Sequence, residues 1–176
     1  MPRKNDLKKY SPETATAPAT TFVRTRDLIN EFLRQKRIAI VGVSRDERDF
    51  SRTVFREFKK RGYDVVPINP QQGSIDDVQF IAGIQDVSPA PDVVVIMTPP
   101  NVTAQIVRDC AEAGVSRIWL HRSIGAGSVS DEALEFCAKH DIRVVSGYCP
   151  LMFLSDPGFV HRVHGFFLKL ARAYPN

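Results

Sequence analysis

The chain has 176 residues, of which 43% are hydrophobic and 25% charged, and its formal net charge is +4. That length holds one domain of ordinary size with its own core and excludes two full ones, while the composition excludes a disordered or collagen-like chain. There is no run of about 18 apolar residues for a membrane-spanning helix, and the basic, proline-containing start lacks the apolar core of a secretory signal.

Cys110, Cys137 and Cys149 are odd in number and far apart, unlike a metal site or a disulfide framework. They read as reduced thiols, and the expectation is a cytoplasmic protein with neither metal nor membrane partner. Lys and Arg are interspersed with Asp and Glu, without a basic stripe or interleaved aromatics, so nucleic acid is not the expected partner. A small anionic ligand accounts for the excess of positive charge.

From Met1 to about Thr20 the residues show almost no apolar periodicity and read as a flexible tail, with the domain proper spanning 21–176. Leu28, Ile29, Phe32 and Leu33 fall at helical spacing between Thr25 and Lys36. Arg37 to Gly42 is a β-branched run ending in glycine, which suits a strand buried on both faces of a parallel sheet. Val54, Phe55 and Phe58 mark a helix that stops at Lys60-Arg61-Gly62, with cations in the last turn and glycine beyond. A strand from Tyr63 to Ile68 follows and is halted by Asn69-Pro70.

The rhythm then repeats. Asp92 to Met97 reads as a strand, Val102 to Ala113 as a helix stopped by Gly114, and Ser116 to Leu120 as a strand. Asp131 to His140 reads as a helix and Ile142 to Val145 as a strand, with a last helix from Phe159 to Ala173 that carries His161 and His164. Strands alternating with helices predict a single α/β domain built on a Rossmann-like, doubly wound parallel sheet of about five strands. In such a sheet ligands bind beyond the carboxyl ends of the strands.

The turns at those ends are Gly42-Val43-Ser44, Asn69-Pro70, Thr98-Pro99-Pro100, His121 to Gly127, and Gly147 to Pro150, so residues distant in sequence converge on one edge. Gly42 ends the first strand, and Ser44 adds a hydroxyl near a helix start that favours negative charge. The turn reads as a phosphate cradle, against the plainer alternative of a tight turn. Arg45, Arg48 and Arg52 surround the following helix start, either as phosphate partners or as a solvated face balanced by Asp46, Glu47 and Asp49. A dinucleotide fingerprint would carry glycines where Ser44 and Glu47 stand, and a NAD site an acidic residue where Asn69 stands, so NAD is disfavoured.

These residues resemble a family: Ile40-Val41-Gly42-Val43-Ser44, Ser51-Arg52 leading into the helix, Gly62-Tyr63-Asp64-Val65-Val66-Pro67-Ile68-Asn69-Pro70, and Cys149-Pro150. The chain is similar over roughly 26–154 to the small stand-alone coenzyme A-binding proteins with a Rossmann fold, relatives of the nucleotide-binding domain of the succinyl-coenzyme A synthetase α subunit. The resemblance implies that Gly42, Val43 and Ser44 hold the pyrophosphate, that Ser51 and Arg52 border it, and that Asn69 and Pro70 lie along the adenosine. It further implies that Thr98 and Pro99 line the groove and that the pantetheine arm runs toward His121, Ile124, Cys149 and Pro150. The loop from Arg122 to Gly127 is longer than in the shorter members.

The phosphohistidine chemistry of the larger synthetases belongs to a different domain and does not carry over. His121 reads as a pocket wall rather than a general base, and Cys149 as a buried small hydrophobe rather than a thiol beside the ligand's own. Phe153 reads as a core or dimer-contact aromatic, which leaves a homodimer possible. The leading reading is a non-catalytic carrier, sensor or regulatory protein for coenzyme A or a short acyl-coenzyme A. The alternative is an NAD(P)-linked oxidoreductase.

Overall fold

The computed structural model describes residues 25–122 and 127–154. The tail expected over 1–20, the helix expected over 159–173 with His161 and His164, and the candidate residue Ile124 lie outside them. Helix α1, Thr25–Leu33, buries Ile29 and Phe32, one turn apart, and leads into β1, Arg37–Val41. Helix α2, Phe50–Lys60, starts at Asp49, whose carboxylate accepts the Ser51 amide at 2.8 Å and satisfies one orphan donor of the first turn. It ends in cations, and Gly62 at φ +81° turns the chain toward β2, Asp64–Ile68.

A small hairpin follows, β3 at Ser74–Ile75 and β4 at Val78–Gln79, reversed at Asp76 with φ +50°. Ile81 then pairs with β2, exchanging backbone bonds with Pro67 and Asn69 at 3.0 Å each, and a 3₁₀ turn spans Ile84–Asp86. The remaining elements are β5, Val93–Ile96, α3, Pro100–Glu112, β6, Arg117–His121, α4, Asp131–Lys139, and β7, Arg143–Tyr148. A second 3₁₀ turn covers Pro150–Met152. Proline at the first position of α3 fits a helix start, where its missing N–H costs nothing.

The sheet runs β2-β1-β5-β6-β7 with every neighbouring pair parallel. Alternate residues of each strand enter two separate cores. Ile38, Ile40, Val93, Val95 and Trp119 pack with Ile29 and Phe32 of α1 and Val54, Phe55 and Phe58 of α2. Ala39, Val41, Val94, Ile96, Ile118 and Leu120 pack with Ala104, Val107 and Cys110 of α3 and Cys137 of α4. Burial on both faces explains why these strands are almost uninterrupted β-branched and aliphatic runs. The architecture is thus the Rossmann-like doubly wound α/β sheet that the alternation of strands and helices predicts.

Helices on opposite faces mean that the chain leaves β1 toward one side and β5 toward the other. The crevice between their carboxyl ends is the topological switch point, where doubly wound sheets bind ligands.

Candidate functional site

The first wall of that crevice is the turn after β1. Gly42 has φ +93°, and its amide donates to Ile68 O at 2.9 Å. A Cβ at this position would stand 2.8 Å from Thr98 Cγ2 and 3.2 Å from the Thr98 amide nitrogen. Glycine is therefore required by the turn after β5, which lies directly against it, as well as by the left-handed backbone. The amides of Val43 and Ser44 are also engaged, to Ile68 O at 3.3 Å and to Ser51 Oγ at 2.9 Å. The sequence motif leads one to expect amides aimed at a ligand; here these three are spent inside the protein, and the Ser44 hydroxyl, at the half-buried rim, accepts the Asp46 amide at 3.1 Å and keeps its own proton to donate.

Ser51 and Arg52 underpin the turn from within. Ser51 Oγ accepts the Ser44 amide and donates to Asp49 Oδ1 at 2.5 Å, so one hydroxyl couples the turn to the cap of α2. Arg52 is only 2% exposed. Its Nη1 donates to Ser44 O and Ser74 O, both at 3.1 Å, and its Nη2 to Glu47 Oε1 at 2.6 Å, while Nε is buried without a protein partner. The guanidinium thus clamps the turn to the hairpin. Arg45 and Arg48 behave differently: both are exposed, and the Arg48 side chain, 92% exposed, stands 3.7 Å from Asp46.

Asn69 joins the ends of β1 and β2. Its Nδ2 donates to Val43 O at 2.8 Å, and its Oδ1 accepts the Gln71 amide at 2.8 Å, closing a turn around Pro70. Beside it opens a groove of about 420 Å³, a size suited to a small-molecule site. Val41, Gly42, Ile68, Asn69 and Pro70 form its floor and one side, and Ala82, Gly83 and Ile84 form the far lip. Thr98 and the α3 residues Val102, Ile106 and Asp109 close it. Val102 is 41% exposed, the only large hydrophobic residue so exposed among the described residues. Thr98 Oγ1 is buried there with no protein partner, while Pro99 is exposed at the cap of α3.

Sequence reasoning named the floor and missed the lip and the helix wall. Val102 and Ile106 stand four apart and read as ordinary core positions; the available signal was an aliphatic residue in the first turn of a helix that begins at a strand-end loop.

The later turns, after β6 and β7, lie one and two strands farther along the sheet. His121 ends β6, is 7% exposed, and its ring centroid is 5.7 Å from that of Phe50 at the start of α2. Cys149 follows β7 in the core shared with α1 and α2, where burial pushes its thiol up to about 11, and Pro150 is buried beside it. A thiol so raised is protonated and unreactive at neutral pH. Among the described residues no group of three or more His, Cys, Asp or Glu could hold a metal ion, and no helix is long and apolar enough to cross a membrane.

Comparison with known proteins identifies the domain. A family profile described as CoA binding domain matches residues 36–155. The chain is similar to the α subunit of an ADP-forming acetate–CoA ligase II from Pyrococcus furiosus, 22% identical over 130 residues, covering 69% of this chain and 28% of that subunit. It therefore spans just over a quarter of the ligase subunit's length. It is also similar to the uncharacterized protein YneT of Bacillus subtilis, 24% identical over 122 residues, covering 69% of this chain and 87% of YneT. Among solved structures, a conserved hypothetical protein from Pyrococcus furiosus superposes with a TM-score of 0.60 at 25% identity, covering 65% of this chain and 95% of its own. A match that takes in both walls of the crevice and all five parallel strands places the chain in a family: it belongs to the CoA-binding domain proteins.

Proposed function

We propose that the chain binds coenzyme A, or a short acyl-coenzyme A, across the carboxyl edge of its sheet as a non-catalytic carrier, sensor or regulatory protein. The observation that carries this reading is the apolar groove at the switch point, which opens beside the Gly42-Val43-Ser44 turn and presents an exposed Val102. An exposed aliphatic in a concave site is the feature of a surface awaiting a flat apolar partner, here the adenine ring. In this reading Asn69, Pro70, Thr98 and Pro99 border the adenosine, and the pyrophosphate lies over the turn that Ser51 and Arg52 brace. The Ser44 hydroxyl and the exposed Arg45 and Arg48 meet the phosphates. The pantetheine arm runs toward His121, Ile124, Cys149 and Pro150. A buried thiol pushed to about 11 supports a binding role for the Cys149 region over a nucleophilic one.

Isothermal titration with coenzyme A, dephospho-coenzyme A and NAD tests the assignment. Coenzyme A is expected to bind at least about tenfold more tightly than NAD. Arg45→Ala or Arg48→Ala is expected to cost about tenfold, or 1.4 kcal/mol, toward coenzyme A and less than about twofold toward dephospho-coenzyme A. A preference for NAD would reject the reading; equal losses for both coenzyme A forms would remove these arginines from the 3′-phosphate.

A further inference from the structure

Among the described residues Asp109 is the single titratable side chain in the lining of the groove. It shares a face of α3 with Val102 and Ile106, two turns below the first and one below the second, so the wall that offers apolar contact also ends in a carboxylate. Gln105 Nε2 donates to Asp109 Oδ1 at 2.8 Å and holds the group in place, and among the described residues no Lys or Arg forms an ion pair with it. Its other oxygen therefore has capacity for a donor.

An ionised carboxylate only accepts hydrogen bonds. A flat ring seated against Val102 and Ile106 meets it favourably with an N–H group and unfavourably with a carbonyl oxygen, whose lone pairs would face its charge. The same charge repels phosphate, whereas Arg45 and Arg48 lie at the other side, beyond the turn after β1. From Pro100 to Asp109 the helix rises about 14 Å, enough to separate the two ends of a nucleoside.

We propose that Asp109 reads the exocyclic amino group of the base, making the groove selective for a 6-aminopurine nucleotide over its 6-oxo counterpart and turning its phosphates toward Arg45 and Arg48. The proposal rests on the reading that a nucleotide occupies this groove.

The test is titration of the wild-type chain, Asp109→Asn and Asp109→Ser with coenzyme A and with its deaminated, hypoxanthine-containing form. The wild type is expected to favour coenzyme A by about tenfold, a moderate ratio because Asp109 is only partly buried. Asp109→Asn, whose amide either accepts from an amine or donates to a carbonyl, is expected to bring the ratio within about twofold of unity, and Asp109→Ser likewise. A wild type that binds both forms equally, or variants that keep the tenfold ratio, would overturn the role of Asp109 while leaving coenzyme A binding intact. A wild type that binds neither form would overturn the nucleotide reading of the groove and this proposal with it.

Discussion

Gly42 and Gly62 both occupy the left-handed region, at φ +93° and +81°, yet their surroundings differ. A Cβ at Gly62 meets nothing within 4 Å, whereas one at Gly42 collides with the Thr98 methyl at 2.8 Å and presses on the Thr98 and Met97 backbone at 3.2 and 3.3 Å. Gly62→Ala is therefore expected to cost about 1 kcal/mol, the penalty of the backbone conformation alone. Gly42→Ala is expected to cost about 3 kcal/mol or more, because the turns after β1 and β5 must separate. Urea unfolding of the two variants makes the comparison, and equal losses would show that the Thr98 contact carries no weight. Only Gly42→Ala should also weaken coenzyme A binding. The glycine was legible in the sequence as the end of a buried strand; its neighbour Thr98, 56 positions away, became visible only through the register of β1 against β5.

The hairpin of β3 and β4 escapes sequence reading because two residues per strand carry no periodicity, and Asp76-Asp77 between them resembles any polar loop. Its importance comes from what is attached to it. Arg52 reaches from α2 to Ser74 O and Ser44 O at once, and Arg56 pairs with Asp76 at 2.8 Å, so the hairpin and the turn after β1 share one support. Arg52→Met keeps most of the buried stem but removes the guanidinium donor of both carbonyls and leaves Glu47 only the longer contact with Arg56 at 3.4 Å. It is expected to destabilise the fold by about 2–4 kcal/mol, measured by urea unfolding, against less than about 0.5 kcal/mol for the exposed Arg48→Ala. A neutral Arg52→Met would show that the clamp holds nothing.

The longer elements were legible because each is specified locally. Strands β1, β2, β5 and β6 are almost wholly buried and apolar, and α2, α3 and α4 end in cations or are followed by glycine. β7 runs to Tyr148, past the expected Val145, because its polar last residues pair with Leu120 and His121 across an irregularity that no local pattern signals.

Across the whole molecule the three thiols create a dependence on alkaline pH. Burial raises Cys110 to about 12 and Cys137 and Cys149 to about 11, above the unfolded value of roughly 8.5–9. Folded-state values that are raised mean that the folded chain holds these protons more tightly. Their contribution is complete below about pH 8.5 and is lost as the pH rises toward 11 and 12. Thermal unfolding is expected to show a Tm that declines steeply above about pH 9, with a shallower decline in Cys149→Ala. Parallel slopes for the variant and the wild type would remove Cys149 from the account.

Assembly of the site is the part of the fold that sequence reading reached least. The strand-end turns could be collected on one edge, but which of them face each other depends on strand order. The lip at Ala82 to Ile84 enters the groove because Ile81 pairs with β2. Size alone does not pick out the groove, since a second hollow of about 400 Å³ lies among Asn30, Leu33, Arg34, Tyr63, Phe153 and Leu154. Leu33, Arg34 and Tyr63 precede β1 and β2, away from the switch point. Amide chemical-shift mapping of the ¹⁵N-labelled chain during titration with coenzyme A separates the two. Saturable shifts are predicted at Gly42, Ser44, Asn69, Gly83, Thr98, Val102 and Ile106, with Leu33, Arg34 and Tyr63 unmoved. Shifts centred on Leu33, Arg34 and Tyr63, or none that saturate with coenzyme A, would contradict the account.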